Sequence, residues 1–456
     1  MNIAIFSGEV SGDLIGEALA REIYKRAPDA ALWGIGSDGM RAAGVDLVAD
    51  SAAWGAISIT EALGKVPHLL LRVAPRLKRE LRARKPDVVV LIDFGAFNMR
   101  AARYAHEQGL KVFYYFPPGA WRRTGPQSAE IARITDAIAT PFEWSAERLR
   151  TVGANVTWVG HPILERVRPV LSRAEFAAQF GMDPARPIIG LLPGSRRHEV
   201  SHLMPTLLDA ARLLYRKVPE AQFVVGVAPS ISQTLMAGYL THHTELRNHL
   251  GEIWHEFTKE AKKKVRNSVA GNLVSQGQRA MVTADGVVVP AETMELEMQA
   301  RHRSEQIHAR ADRTLPPTVL VRGLTYDLMA HSDLLLTCSG TATLEAAVFG
   351  TPMVILYRGS KLMELEYKLR GIDKKIKHIG LPNILADRRI VPELIQEQAT
   401  PEAIAELALP LLNDVAIRHQ ARQDLLSVRA FLGEPGASER TARLVLDLAR
   451  RKPSKP

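Results

Sequence analysis

The sequence predicts an α/β protein of two Rossmann-like domains facing each other across a cleft, with an inserted segment in the second domain and a helical C-terminus. Two observations lead there. The first is a pair of glycine-punctuated strand-to-helix turns placed far apart: Ile3-Ala4-Ile5-Phe6-Ser7-Gly8-Glu9-Val10-Ser11-Gly12-Asp13 and Leu334-Leu335-Leu336-Thr337-Cys338-Ser339-Gly340-Thr341-Ala342-Thr343-Leu344-Glu345. Each apolar run stops at small residues and opens a helix, which aims free backbone N–H groups and the positive end of a helix dipole at one spot. The second is that apolar runs alternate with helical patterns in two separate series. The runs are continuous rather than alternating in polarity, as in a parallel sheet covered by helices on both faces.

In chain order the first series gives strands at Asn2 to Phe6, Ala31 to Ile35, Val88 to Ile92, Val112 to Phe116, Ala137 to Ala139 and Thr157 to Val159. The first domain, residues 1–162, ends near Gly160-His161-Pro162, and a lone histidine at such a junction reads as a packed structural residue rather than a catalyst. The second domain, 163–390, has strands at Ile188 to Leu192, Phe223 to Val227, Thr318 to Val321, Leu334 to Thr337 and Met353 to Leu356. Residues 228–317 far exceed the dozen or so that an α/β crossover needs. The excess, about 239–317, carries the charged run Lys259 to Arg266 and a strand-like Gly286-Val287-Val288-Val289, and reads as an insertion of helices with a hairpin. Residues 391–456 read as helices followed by a basic tail, Arg450 to Pro456.

Composition fits this picture. The chain has 456 residues, 46% hydrophobic and 24% charged, enough for two or three domains that each bury a core. The formal net charge of +10 suits phosphorylated small molecules, an anionic membrane surface or nucleic acid, and does not choose among them. A single cysteine, Cys338, excludes an intrachain disulfide or a cysteine metal cluster and points to a reducing compartment. The first apolar run breaks at Gly8, too soon for a signal-peptide core, and no stretch reaches the roughly 18 apolar residues that span a bilayer.

Chemistry is expected where the sheets meet, outside the carboxyl ends of the strands. Leu191-Leu192-Pro193-Gly194-Ser195-Arg196-Arg197-His198-Glu199 leaves a strand through a Pro-Gly turn and presents a serine and two arginines. An arginine there forks onto phosphate oxygens while neighbouring N–H groups bind others. Ser339-Gly340-Thr341 forms the other wall, with hydroxyls and a helix N-terminus suited to a diphosphate. Glu345 lies one helical turn beyond Thr341 on the same face and suits the hydroxyls of a ribose. Singly, Ser339-Gly340-Thr341 also reads as a helix cap and Arg196 as a surface salt bridge. Jointly they imply a nucleoside diphosphate held without metal or cofactor.

A set of motifs then stands in a recognisable order: Gly8-Glu9-Val10-Ser11-Gly12-Asp13; Lys85-Pro86-Asp87-Val88 leading to Ile92-Asp93 and Phe97-Asn98; Leu192-Pro193-Gly194-Ser195-Arg196; Ser339-Gly340-Thr341 with Glu345; Pro352-Met353-Val354; Leu381-Pro382-Asn383-Ile384-Leu385; and Ile390-Val391-Pro392-Glu393-Leu394. Over nearly all the chain except the insertion it resembles the lipid A disaccharide synthases, a family of inverting, GT-B type glycosyltransferases. The resemblance implies transfer from UDP-2,3-diacylglucosamine to 2,3-diacylglucosamine 1-phosphate, giving a β-1,6 disaccharide 1-phosphate and UDP. It implies substrate contacts from Gly8, Ser11, Gly12, Asp13, Asn98 and Asn383 beside Gly194, Ser195, Arg196, Ser339, Gly340, Thr341 and Glu345. Ser11 and Asp13 also read as helix-capping groups.

The catalytic base is where this chain departs from the resemblance. Where the family pattern resembles Ile-Asp-x-Pro-Asp-Phe-Asn, this chain has Ile92-Asp93-Phe94-Gly95-Ala96-Phe97-Asn98, so the usual base position is Ala96. A stretch resembling Ser-Pro-x-x-Trp-Ala-Trp appears as Phe116-Pro117-Pro118-Gly119-Ala120-Trp121-Arg122. Either Asp93 or Glu9 supplies the base, or the acceptor differs, or the protein binds the nucleotide sugar and turns over poorly. A UDP-sugar epimerase of the same fold is a further alternative.

Acylated substrates imply a peripheral protein at the cytoplasmic membrane face. Val66, Leu69, Leu70, Val73, Leu77 and Leu81 recur at helical spacing among Arg72, Arg76, Lys78, Arg79, Arg82, Arg84 and Lys85. Such a stripe suits an interfacial helix on an anionic surface, or equally a core-facing helix with a solvated basic face. No nucleic-acid motif accompanies the charge, and self-association is left open.

Overall fold

A computed structural model describes residues 1–8, 10–51, 54, 72–119, 128–241, 280–282, 288–290, 315–359 and 377–451. In the first domain, strands β1 (Asn2–Ser7), β2 (Ala31–Gly36), β3 (Asp46–Asp50), β4 (Val88–Ile92), β5 (Val112–Tyr115), β6 (Ala137–Thr140) and β7 (Val156–Trp158) form a parallel sheet ordered β3-β2-β1-β4-β5-β6-β7. Its helices are α1 (Val10–Arg26), α2 (Asp38–Ala42), α3 (Ala74–Arg84), α4 (Gly95–Glu107), α5 (Ser128–Ile134) and α6 (Glu143–Arg150). The central strand Val88–Ile92 is buried along its whole length, because helices cover both faces.

A linker with α7 (Ile163–Arg166) and α8 (Arg173–Gln179) leads into the second domain. There β8 (Ile188–Leu192), β9 (Gln222–Val227), β12 (Thr318–Arg322), β13 (Leu334–Cys338), β14 (Met353–Tyr357) and β15 (Glu393–Ile395) form a second parallel sheet, ordered β12-β9-β8-β13-β14-β15. α9 (Arg197–Lys217), α10 (Gln233–Thr241), α11 (Thr325–His331), α12 (Thr341–Phe349) and α13 (Leu381–Ala386) belong to it. Within the insertion the described part holds an antiparallel pair, β10 (Ala280–Val282) and β11 (Val288–Pro290). The charged run Lys259 to Arg266 lies outside the described residues.

The C-terminal helices are divided between the two domains. Ile404, Ala405, Ala408, Leu411 and Leu412 of α14 (Pro401–Asn413) join the core of the second sheet, and α15 (Val415–Ser427) follows. The last helix, α16 (Ala437–Arg450), buries Ala442, Val445, Leu446, Leu448 and Ala449 against Ile3, Ile5, Leu19 and Val90 of the first domain. The chain therefore crosses between domains twice, and Arg440 fastens the crossings together: its guanidinium donates to the carbonyls of Val159, Glu434 and Pro435. Phe142, just past β6, shares an apolar cluster with Ile163, Val167, Leu344, Val348 and Leu432, so loops at the carboxyl end of the first sheet meet α12 of the second.

His161 is packed at this junction between Phe116 and Phe142, with ring centroids 5.3 and 5.5 Å away. Its Nδ1 accepts from the Ile163 amide at 3.1 Å, so the neutral ring carries its proton on Nε2. Burial, aided by the Arg166 charge, lowers its pKa to about 3. The unfolded histidine titrates near 6.5, so the unfolded chain gains a proton below that pH that the folded chain refuses until about pH 3. Stability is thus lost as pH falls through that window. The melting temperature of His161→Asn is expected to fall less between pH 7 and pH 5 than the parent's; an equal fall would mean that His161 is not the group responsible.

Of the two alternatives for the basic stretch, the core-facing helix with a solvated basic face is found where the stretch is described. Val73, at the N-cap of α3, and Leu77 and Leu81 within it are buried in the first domain's core, while Arg76, Lys78, Arg79 and Arg82 are exposed. Lys78 and Arg82 sit over the Tyr104 ring at 4.9 and 5.7 Å, and Arg84 pairs with Glu80 and Asp46. Here the apolar stripe is a core face rather than an acyl-chain face. Val66, Leu69 and Leu70 lie outside the described residues.

Candidate functional site

Both sheets reverse their winding once, and the motifs fall at the two reversals. In the first sheet β1 lies between β2 and β4, and the crevice between the carboxyl ends of β1 and β4 receives Gly8 and Asp93. In the second, β8 lies between β9 and β13, and the crevice receives Gly194 to Arg196 and Ser339 to Thr341. Such switch points are where doubly wound sheets bind ligands.

At the first crevice β4 ends in two consecutive left-handed residues, Asp93 (φ 46°) and Phe94 (φ 49°). Non-glycine residues in this region are strained by about 1–3 kcal/mol each and persist only where surroundings enforce them. Here Asn98, 1% exposed, donates through Nδ2 to the carbonyls of Phe6, Ile92 and Asp93. The Tyr114 hydroxyl donates to the Asp93 carbonyl at 3.0 Å. The Phe94 ring folds over Gly8, where a Cβ would stand 2.0 Å from it, so that position excludes any side chain. Asp93 itself is exposed at the crevice. Glu9 lies outside the described residues. Ser11 and Gly12 fall inside α1, not on a loop, and a Cβ at Gly12 would stand 2.6 Å from Ser7 Oγ. The buried Asp13 carboxylate accepts from the amides of Ser37, Gly39 and Met40, fastening the start of α2.

At the second crevice the two helix N-termini differ. Glu199, buried under the turn, accepts from the amides of Ser195 and Arg196 at 2.9 and 3.1 Å and from Arg196 Nη1 at 3.1 Å. Gly194 (φ 120°) permits this approach, since a Cβ there would meet Glu199 Oε2 at 2.5 Å. The amides expected to bind phosphate beside Arg196 are therefore taken by Glu199, because a buried carboxylate needs donors. The N-terminus of α12 is different: Gly340 supplies no capping side chain, and the Thr341 and Ala342 amides have no acceptor among the described residues. Gly340 and Thr341 are exposed. One turn on, Glu345 accepts through Oε1 from Arg166 Nη2 at 2.9 Å and from Tyr326 Oη at 3.3 Å.

Ser339 Oγ donates to the Ile379 carbonyl at 2.8 Å, which draws residues 377–380 alongside this helix start. Glu393 accepts from the Ile379 and Gly380 amides and from Asn383 Nδ2. Asn383 is fully buried, donating also to Val391 O and accepting from the Ile390 and Val391 amides, so its four hydrogen-bonding positions are all used within the loop. Burial raises the pKa of the Cys338 thiol. Sequence reasoning missed Glu199, Arg166, Tyr326 and Tyr114; only Glu199 had a local signal, the three-residue spacing from Arg196 typical of a helix start.

The chain matches the family model described as lipid-A-disaccharide synthetase over residues 3–301 and 290–445. It is 34% identical over 452 residues to the lipid-A-disaccharide synthase of Geobacter metallireducens, covering 99% of this chain and 98% of that protein. Its fold is similar to that of a putative UDP-N-acetylglucosamine 2-epimerase from Listeria monocytogenes (TM-score 0.53, 12% identity, 96% of this chain and 94% of that one). It is also similar to CalG4, the calicheamicin glycosyltransferase (TM-score 0.51, 13% identity, 99% and 98%).

Proposed function

Because this chain belongs to the lipid-A-disaccharide synthase family and is a glycosyltransferase of lipid A synthesis, we infer that it transfers 2,3-diacylglucosamine from its UDP derivative to 2,3-diacylglucosamine 1-phosphate. The observation that carries the assignment of sides is the uncapped, exposed N-terminus of α12 at the second switch point, with Glu345 one turn inside it. The diphosphate of the donor lies on the Thr341 and Ala342 amides, with Arg196 across the crevice, and the ribose on Glu345. Ser339, Gly194, Ser195 and Asn383 shape that pocket through the backbone they hold.

On the opposite wall Asp93 is the general base. Its carboxylate takes the proton of the acceptor 6-hydroxyl as the oxygen attacks the donor's anomeric carbon from the face opposite the diphosphate. The carbon–oxygen bond to the diphosphate breaks and its electron pair leaves with UDP, giving inversion. The exposure of Asp93 at the crevice and the rigid turn beneath it support this role; Asn98 holds that turn, and Gly8 gives room to the Phe94 ring.

No helix among the described residues is long and apolar enough to cross a membrane. The acylated substrates place the reaction at the cytoplasmic membrane face, where the exposed cations of α3 fit anionic headgroups. The test supplies both substrates in vesicles and follows UDP and disaccharide phosphate by mass spectrometry. Stoichiometric release of both, faster from anionic than from neutral vesicles, is expected. Bound UDP without disaccharide would sink the substrate assignment; equal rates on both vesicle types would sink the anionic docking.

A further inference from the structure

Glu345 is held from the linker that joins the two domains. Arg166, the last residue of α7, donates Nη2 to Glu345 Oε1 at 2.9 Å and Nε to Tyr326 Oη at 2.9 Å, and the Tyr326 hydroxyl in turn donates to Glu345 Oε1 at 3.3 Å. The carboxylate is 13% exposed and the guanidinium 29%. Next to Tyr326, Asp327 accepts from the amides of Val170 and Leu171 at 2.8 and 2.7 Å, so α11 fastens the linker at two points. Oε2 of Glu345 has no partner among the described residues. Burial and the nearby carboxylate raise the Tyr326 pKa, so the hydroxyl keeps its proton and stays a donor.

We propose that Arg166 and Tyr326 are positioning residues that make the site selective for a ribose diol, fixing Glu345 Oε1 so that Oε2 faces the two ribose hydroxyls. The proposal rests on the reading of Glu345 as the ribose carboxylate. Two physical needs meet here. A glutamate side chain loses rotamer freedom when it binds a ligand, and one already fixed loses less. A carboxylate one turn from a diphosphate also repels it unless a cation is paired with it, and Arg166 is that cation. Lysine at 166 would keep the charge but not the fork that joins Glu345 and Tyr326.

The test is calorimetric titration of the full-length chain with UDP and with 2′,3′-dideoxy-UDP, which keeps the diphosphate and lacks the diol. The parent is expected to favour UDP by about tenfold to a hundredfold, the range of a charge-assisted hydrogen bond. Tyr326→Phe and Arg166→Lys reduce that ratio several-fold and leave dideoxy-UDP affinity nearly unchanged; Glu345→Gln removes most of it. If Glu345→Gln loses the preference while both other variants keep it, the positioning role is overturned and the ribose carboxylate stands. If affinity for both nucleotides falls in parallel, the two residues are merely structural. If the parent does not distinguish the nucleotides, Glu345 is not the ribose carboxylate and the proposal falls with it.

Discussion

Asp93→Asn is expected to lower kcat by about 10²- to 10⁴-fold, the usual contribution of a positioned general base, while UDP affinity stays at the parent value. Asparagine keeps the size of the side chain and tolerates the left-handed backbone, so the turn held by Asn98 and Tyr114 survives. Only proton acceptance is lost. The split between kcat and nucleotide affinity is diagnostic, because the nucleotide is assigned to the other sheet. Steady-state kinetics with calorimetry on the same preparation measures it. A kcat equal to the parent's would transfer the role to another carboxylate, with Glu9→Gln the next variant. The residue at the family's usual base position, Ala96, has no proton-accepting group, which is why this experiment has more consequence here than in a chain with aspartate there.

Thr341→Asp is expected to move affinity and stability in opposite directions. A carboxylate in the first turn of α12 interacts favourably with the helix dipole and adds about 0.3–1 kcal/mol of stability. The same charge stands where the diphosphate is assigned. Two unit charges about 4 Å apart repel by about 4 kcal/mol at an effective dielectric of about 20, so after partial screening UDP affinity falls by about 10²- to 10³-fold. Thermal melting and calorimetry read the two effects separately. Unchanged UDP affinity in a stabilised variant would move the diphosphate away from α12, toward the Arg196 turn.

The buried strands were the most legible in the sequence, although the sheet-edge strands Val156–Trp158 and Thr318–Arg322 were also expected, at Thr157 to Val159 and Thr318 to Val321. Val88–Ile92 and Ile188–Leu192 have the expected bounds, because strands covered on both faces must be continuously apolar. The outer strands Asp46–Asp50 and Glu393–Ile395 gave no such signal: each pairs on one side, and each contains polar residues. α16 likewise reads locally as one more amphipathic helix of the C-terminal group. That its apolar face belongs to the first domain's core is a long-range fact, since periodicity names a buried face but not its partner.

The sequence by itself determined that there are two doubly wound sheets, and which short segments end their central strands. Glycine, serine and threonine after an apolar run have few local alternatives to a strand-to-helix turn. Tertiary structure alone decided which polar groups face the crevice and which hold it together. Asp13 and Asn383 sit in motifs as distinctive as Ser339-Gly340-Thr341, yet Asp13 binds the amides of residues 37, 39 and 40 and Asn383 those of 390 and 391. The Ser195 and Arg196 amides bind Glu199, whereas those of Thr341 and Ala342 have no acceptor among the described residues. The reason is that a buried polar group must find a partner, and the partner within 3 Å is usually brought there by another part of the chain.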